Sequence, residues 1–153
     1  MGISASMPKR RPCGETFVSC RLQGTRLLGI APGFYEWQVH GRAKQPMWIG
    51  VKSHRPFAGL WEQGQPPDGA VIESCTILTT EPNELPRPIH NRMPVMLAPT
   101  AYDQWVDPTV QQTEPLKALL RPYPNEELTA YPVSTRVNNP RHEAPECLEP
   151  LPV

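Results

Sequence analysis

Apolar residues in this chain come in short runs broken by turn-forming residues, and their spacing predicts strands more often than helices. Residues 1–25 show no sustained period. Basic, polar and small residues alternate there without a repeating apolar face, which predicts a mobile arm over residues 1–26. Leu27, Leu28 and Ile30 then lead into Pro32-Gly33, a turn signal. Phe34–Val39 is rich in aromatic and branched residues and reads as a strand. After the polar turn 40–45, Met47–Val51 reads as a second strand, with Met47, Ile49 and Val51 on one face and Trp48 and Gly50 on the other. Phe57–Trp61 follows the turn 52–56 as a third. Connections this short cannot hold a crossover, so these three strands are expected to form an antiparallel meander.

Beyond the loop 62–69, Val71–Thr80 reads as a longer strand with Ile72, Cys75, Ile77 and Leu78 as its apolar members. The segment 81–88 is too rich in proline for more than one helical turn. Met93–Leu97 reads as a short strand. Tyr102, Trp105 and Val106 then fall at helical spacing, and Leu116, Leu119 and Leu120 mark a second short helix over 114–120 that Pro122 ends. Leu128–Val133 is the last predicted strand, and the tail 137–153 is loop-like. The expected fold class is α+β: one β-rich domain over 27–153, built of mostly antiparallel short strands with a few short helices. There is no βαβ rhythm and hence no doubly wound or barrel architecture.

Composition sharpens this picture at one point. Proline supplies 21 of the 153 residues, well above the roughly 5% of ordinary proteins, which favours turns over long helices. The 15 basic and 15 acidic residues cancel. Their distribution is uneven, with a net +4 over residues 1–26 and −4 over the rest. Nucleic-acid binding by the body would therefore need a local patch. Cys13, Cys20, Cys75 and Cys147 form no CxxC pair, which predicts free cysteines and no zinc site. No signal-peptide core and no apolar run of ~18 residues is present, so a soluble, cytoplasmic protein is expected.

Two stretches carry titratable residues where folding alone gives little reason for them. Glu36 stands between Tyr35 and Trp37 in a predicted strand, where desolvation would raise its pKa into the range useful for acid–base work. A carboxylate simply turned outward from the strand is the alternative. His90, Asn91 and Arg92 precede Met93-Pro94. A histidine there can exchange protons near neutrality, and Arg92 suits a phosphate or an oxyanion. The alternative is a surface histidine in a polar loop. Thr79 and Thr80 close a strand and offer hydroxyls. Trp37, Trp48 and Trp61 can stack on bases or fill a core. Arg42, Lys44, Lys52 and Arg55 cluster in the first two turns.

Taken together, GFYEW (33–37), KQP (44–46), FAGLWE (57–62), ESCTILTTEPN (73–83), IHNRMPV (89–95), YDQWVDP (102–108), PVSTRVNNPR (132–141) and PECLEP (145–150) resemble the SRAP family of abasic-site processing proteins. The likeness runs from about Leu28 to Pro150. It implies a cysteine nucleophile at the exposed N-terminus, whose amine and thiol capture the ring-opened aldehyde of an abasic site as a thiazolidine. It implies catalytic roles for Glu36 and His90, the latter in sugar ring opening and proton transfer. It also implies DNA contacts at Arg92 and Thr79, and Trp37 is added here as a stacking candidate. Single-stranded DNA with abasic sites is the implied partner, within the SOS and DNA-damage response. An autopeptidase activity, no cofactor, no metal, no membrane and a monomeric state complete the expectation. In a bacterium the protein would be nucleoid-associated.

The sequence departs from that family at its start. Position 2 is Gly, which offers an amine without a thiol, and Cys13 and Cys20 are internal and lack the amine. The family's Asn-Ala-Arg motif is missing, and residues 1–26 look foreign to it. A gene truncated upstream and a start in a shifted frame both account for this. Two further readings therefore stand beside the first: a non-catalytic remnant that binds single-stranded DNA, and a small hydrolase using Glu36 and His90 alone.

Overall fold

In the computed structural model, residue 22 and residues 25–64 and 69–152 are described. The expected arm lies outside them except for Leu22, Thr25 and Arg26. Strand β1 spans Arg26–Gly29. β2 (Gly33–His40) and β3 (Ala43–Val51) form a hairpin whose register runs from Gly33 opposite Gly50 to His40 opposite Ala43. The left-handed Gly41 (φ 60°) lies in its two-residue turn, where a side chain would be strained. β4 (Phe57–Gly64), β5 (Ile72–Ile77), β6 (Thr79–Thr80), β7 (Met93–Pro94) and β8 (Leu128–Pro132) are the other strands among the described residues. The helices α1 (Tyr102–Val106) and α2 (Thr113–Lys117) are one turn or slightly more, as the proline content requires.

The strands form two three-stranded antiparallel sheets, β1-β4-β5 and β2-β3-β8, and one two-stranded sheet, β6-β7. The expected meander is therefore corrected: β4 does not pair with β3. The free edge of β3 is taken by β8, with Trp48 opposite Tyr131. The turn after β3, which includes His54 at φ 47°, is tied to the residues before β8. Lys52 N–H donates to the Glu127 carbonyl at 2.9 Å, and Ser53 Oγ bonds to Glu127 Oε2 at 2.7 Å. The chain cannot fold back on β3 and instead delivers β4 between β1 and β5.

Two other expectations change in detail. The strand over 71–80 breaks at Leu78, whose N–H donates to the Ala58 carbonyl while its carbonyl accepts from Val95 N–H, both at 2.8 Å. β6 thereby leaves β4 and pairs with β7. On β3, Trp48 and Gly50 are as buried as Ile49 and Val51. Tyr35 packs on Trp48 at 4.9 Å, and the Tyr35 and Tyr131 hydroxyls donate to the Cys147 and Leu148 carbonyls. The tail thus covers the face that alternation left open. Val106 on α1 is exposed, whereas Trp105 is fully buried.

Two apolar clusters hold the sheets. One gathers Leu22, Ala58, Leu60, Val95, Leu97, Trp105 and Leu116. Arg26 closes it, buried, with its guanidinium donating to the carbonyls of Leu22, Trp105 and Asp107. That cation satisfies the C-terminal end of α1 and is not available to a nucleic acid. The second cluster gathers Ile49, Val51, Phe57, Met93, Met96 and Leu128, with Phe34, Leu85 and Ile89 packed against it.

Gly33 is where β2 and β3 approach too closely for a side chain. A Cβ there would lie 2.3 Å from the Ile49 carbonyl oxygen and 2.6 Å from the Trp48 ring. Gly33→Ala is expected to cost about 3 kcal/mol, the upper end of overpacking penalties. Urea denaturation would show it as a lower midpoint at unchanged slope.

Candidate functional site

The second cluster builds the site. Phe34 on β2 meets Phe57 on β4 edge to face, with centroids 6.0 Å apart and planes at 83°. Glu36 is the next residue on Phe34's face of the strand. It emerges at the rim of the cluster, two positions beyond the ring that anchors it. From the opposite side, Ile89 packs on the same cluster and Met93 is fully buried in it. The intervening His90 and Arg92 are held at the surface above that core. His90 Nδ1 lies 3.7 Å from Glu36 Oε1. This is an ion-pair distance when the ring is charged and is longer than a hydrogen bond.

Backbone contacts fix the histidine. Its N–H donates to the Pro86 carbonyl at 2.9 Å. The Arg92 N–H and the Arg92 carbonyl both lie 3.2 Å from His90 Nδ1. A neutral Nδ1 accepts from that N–H, and a protonated Nδ1 donates to that carbonyl. The ring can therefore take up and release a proton at Nδ1 without rotating, beside a carboxylate. Glu36 is partly buried, and desolvation raises its pKa above the ordinary glutamate value. The nearby His90 charge and a hydrogen bond from the Trp37 backbone oppose that shift.

Arg92 and Thr79 are also brought together. Arg92 Nε donates to Thr79 Oγ1 at 3.2 Å, and Nη2 donates to the same oxygen at 3.1 Å and to the Thr79 carbonyl. The register of β6 and β7, with Thr79 opposite Pro94, sets this contact. Nη1 has no protein partner among the described residues, and the exposed guanidinium is braced beside His90. Trp37 is not brought to the pair. Strand alternation turns it to the other face of β2, where Nε1 donates to Asn138 Oδ1 at 2.7 Å. Trp48 is buried and Trp61 is partly exposed on the other three-stranded sheet.

Several residues outside the sequence reading shape the site. Asn83 Nδ2 donates to the Tyr123 carbonyl at 2.6 Å. Asn83 Oδ1 and Asn125 Oδ1 both accept from Leu85 N–H, at 3.1 and 2.8 Å. The first of these is a side chain closing a turn on the backbone two residues ahead, a signal an Asn before a proline-rich segment can give. Among the described residues, no group of three or more His, Cys, Asp or Glu could hold a metal ion, and no helix is long and apolar enough to cross a membrane.

Comparison with known proteins identifies the family of the chain. The family model for SOS response associated peptidase (SRAP) matches residues 15–140. The abasic site processing protein YoqW of Bacillus subtilis (strain 168) is 42% identical over 131 residues, 84% of this chain and 58% of YoqW. The abasic site processing protein HMCES of Gallus gallus is 33% identical over 152 residues, 85% of this chain and 45% of HMCES. A crystal structure of a protein from Bacteroides thetaiotaomicron superposes with a TM-score of 0.76 at 25% identity, covering 86% of this chain and 59% of the other. The chain thus spans about half the length of the relatives it matches.

The raised Glu36 pKa has a consequence for stability. A carboxyl whose pKa rises on folding favours the folded state while protonated, and that contribution is lost as pH rises through the folded pKa. Glu36→Gln stays neutral throughout. It is expected to melt at a higher temperature than the parent at pH 7.5, with the gap closing towards pH 4. Thermal denaturation across that range checks this.

Proposed function

Because this chain belongs to the SOS response associated peptidase (SRAP) family, we propose that it acts on abasic sites in single-stranded DNA. In this reading Glu36 and His90 are the proton-transfer pair, and Arg92, braced by Thr79, contacts the DNA backbone. The observation that carries it is the approach of Glu36 Oε1 to His90 Nδ1, 3.7 Å apart, beside the exposed Arg92 guanidinium that Thr79 braces.

An abasic deoxyribose rests mainly as a closed hemiacetal. Opening it removes a proton from the C1 hydroxyl and delivers one to the ring oxygen, leaving an aldehyde. A carboxylate and an imidazole on one rim supply both ends of that transfer, one accepting while the other donates. A phosphate held by Arg92 would fix the sugar against them. The aldehyde is then open to an amine, which adds to the carbonyl carbon and expels water to give a Schiff base. An adjacent thiol would close the product into a thiazolidine.

Of the described cysteines, Cys75 is exposed on β5 and Cys147 is buried within the tail that covers the opposite face of β2. These placements favour a second reading, a single-stranded DNA-binding module without covalent chemistry.

The test uses a labelled single-stranded oligonucleotide with one abasic site and its intact counterpart. Tighter binding to the abasic strand is expected, weakening with salt, and Arg92→Ala should reduce the salt slope by about 1. On a denaturing gel a band trapped by borohydride marks the Schiff base, and His90→Ala should slow its formation about 100-fold. Salt-sensitive binding without any band selects the second reading. Equal binding of both strands with no covalent product overturns the proposal.

A further inference from the structure

Glu36 is not the last polar residue on its face of β2. Gln38 and His40 follow at the same alternation. Gln38 Nε2 donates to the Pro88 carbonyl at 3.1 Å, and Gln38 Oε1 lies 3.0 Å from His40 Nε2. The assignment of this amide is not arbitrary. A proline carbonyl only accepts, so the amide nitrogen must face it. The amide oxygen is then left for His40, whose Nε2 must carry the proton. Gln45, opposite Gln38 in the hairpin, does not compete for the same carbonyl, because its amide donates to the carbonyls of Pro46 and Val133.

We propose that Gln38 is a positioning residue that sets the separation of Glu36 and His90 by clamping β2 to the Pro88 carbonyl. This rests on the acid–base reading of that pair. The two contacts are parallel rungs: Gln38 is two residues beyond Glu36, and Pro88 is two residues before His90. The apolar contacts beneath them cannot do this alone. Phe34 and Ile89 are only partly buried against their cluster, and packing of that kind is non-directional. A hydrogen bond with one donor and one acceptor fixes both distance and orientation. His40 holds the amide in the orientation that reaches Pro88, so it acts one step further back.

The role is tested on the full chain by a double-mutant cycle read from the carbon-13 titration of the Glu36 carboxyl. In the parent, His90→Ala removes a neighbouring charge and raises the Glu36 midpoint. In a Gln38→Met background, which keeps length and loses the donor, the same replacement should produce about half that rise, because doubling the separation halves a Coulomb interaction. His40→Ala should reduce the coupling less. Gln38→Lys keeps a donor for the Pro88 carbonyl and should retain the coupling, its own charge cancelling within the cycle. It also serves if the Met variant does not fold. Coupling that is unchanged in Gln38→Met, or lost equally in Gln38→Lys, overturns the assignment, since a merely structural side chain would leave the cycle unmoved. The outcome does not depend on DNA. If the parent shows no selectivity for abasic strands, the functional reading fails while the cycle still decides Gln38.

Discussion

The contact between Phe34 and Phe57 joins the two three-stranded sheets, and the site exists because of where that contact falls. Phe34 belongs to the β2-β3-β8 sheet and Phe57 to the β1-β4-β5 sheet. Once the two rings meet edge to face, the polar position two residues beyond Phe34 is carried to the edge of a dry cluster. Ile89 and Met93 join the same cluster, so the residues between them are stretched across its mouth. A single apolar nucleus therefore places an acid and a base from distant parts of the chain on one rim. The half-dry setting also gives Glu36 its raised pKa, since desolvation and placement have the same origin.

Directional contacts finish what the apolar cluster begins. Asn83 and Asn125 bind the backbone of the 84–89 turn, and the Pro86 carbonyl accepts from the His90 N–H. Thr79 fixes the Arg92 guanidinium from the neighbouring two-stranded sheet. Such bonds add little net stability individually, because water competes for the same groups. Their effect is to select one geometry among the many that hydrophobic contact would allow.

Much of the local structure was legible in the sequence. The runs at Phe34–Val39, Phe57–Trp61 and Leu128–Val133 lie within strands or nearly so, differing by one to three residues at their ends. Trp105 and Leu116 are buried where helical spacing put an apolar face, while Val106 at the end of its short helix is not. At the candidate site, Glu36, His90 and Arg92 stood out because titratable residues interrupt apolar runs, whereas Thr79 was singled out by the family resemblance. Gln38 and His40 were open to the same alternation argument, but ordinary polar residues near a hairpin turn give no warning that one of them spans to another segment. Trp37 stood out by residue type, and strand alternation separates it from Glu36.

What the sequence determined by itself was local: where strands and short helices begin and end, which residue types interrupt them, and which family motifs they spell. What only the tertiary structure decided was who neighbours whom. The pairing of β8 on β3, the placement of β4 between β1 and β5, the covering of Trp48 by the tail, and the meeting of Glu36 with His90 all join distant positions. Periodicity reports which face of an element is apolar, because side-chain direction repeats along a strand or helix. It does not report which other face will cover it. That choice comes from competition among all apolar surfaces of the chain for burial, and it is settled only when the whole core closes.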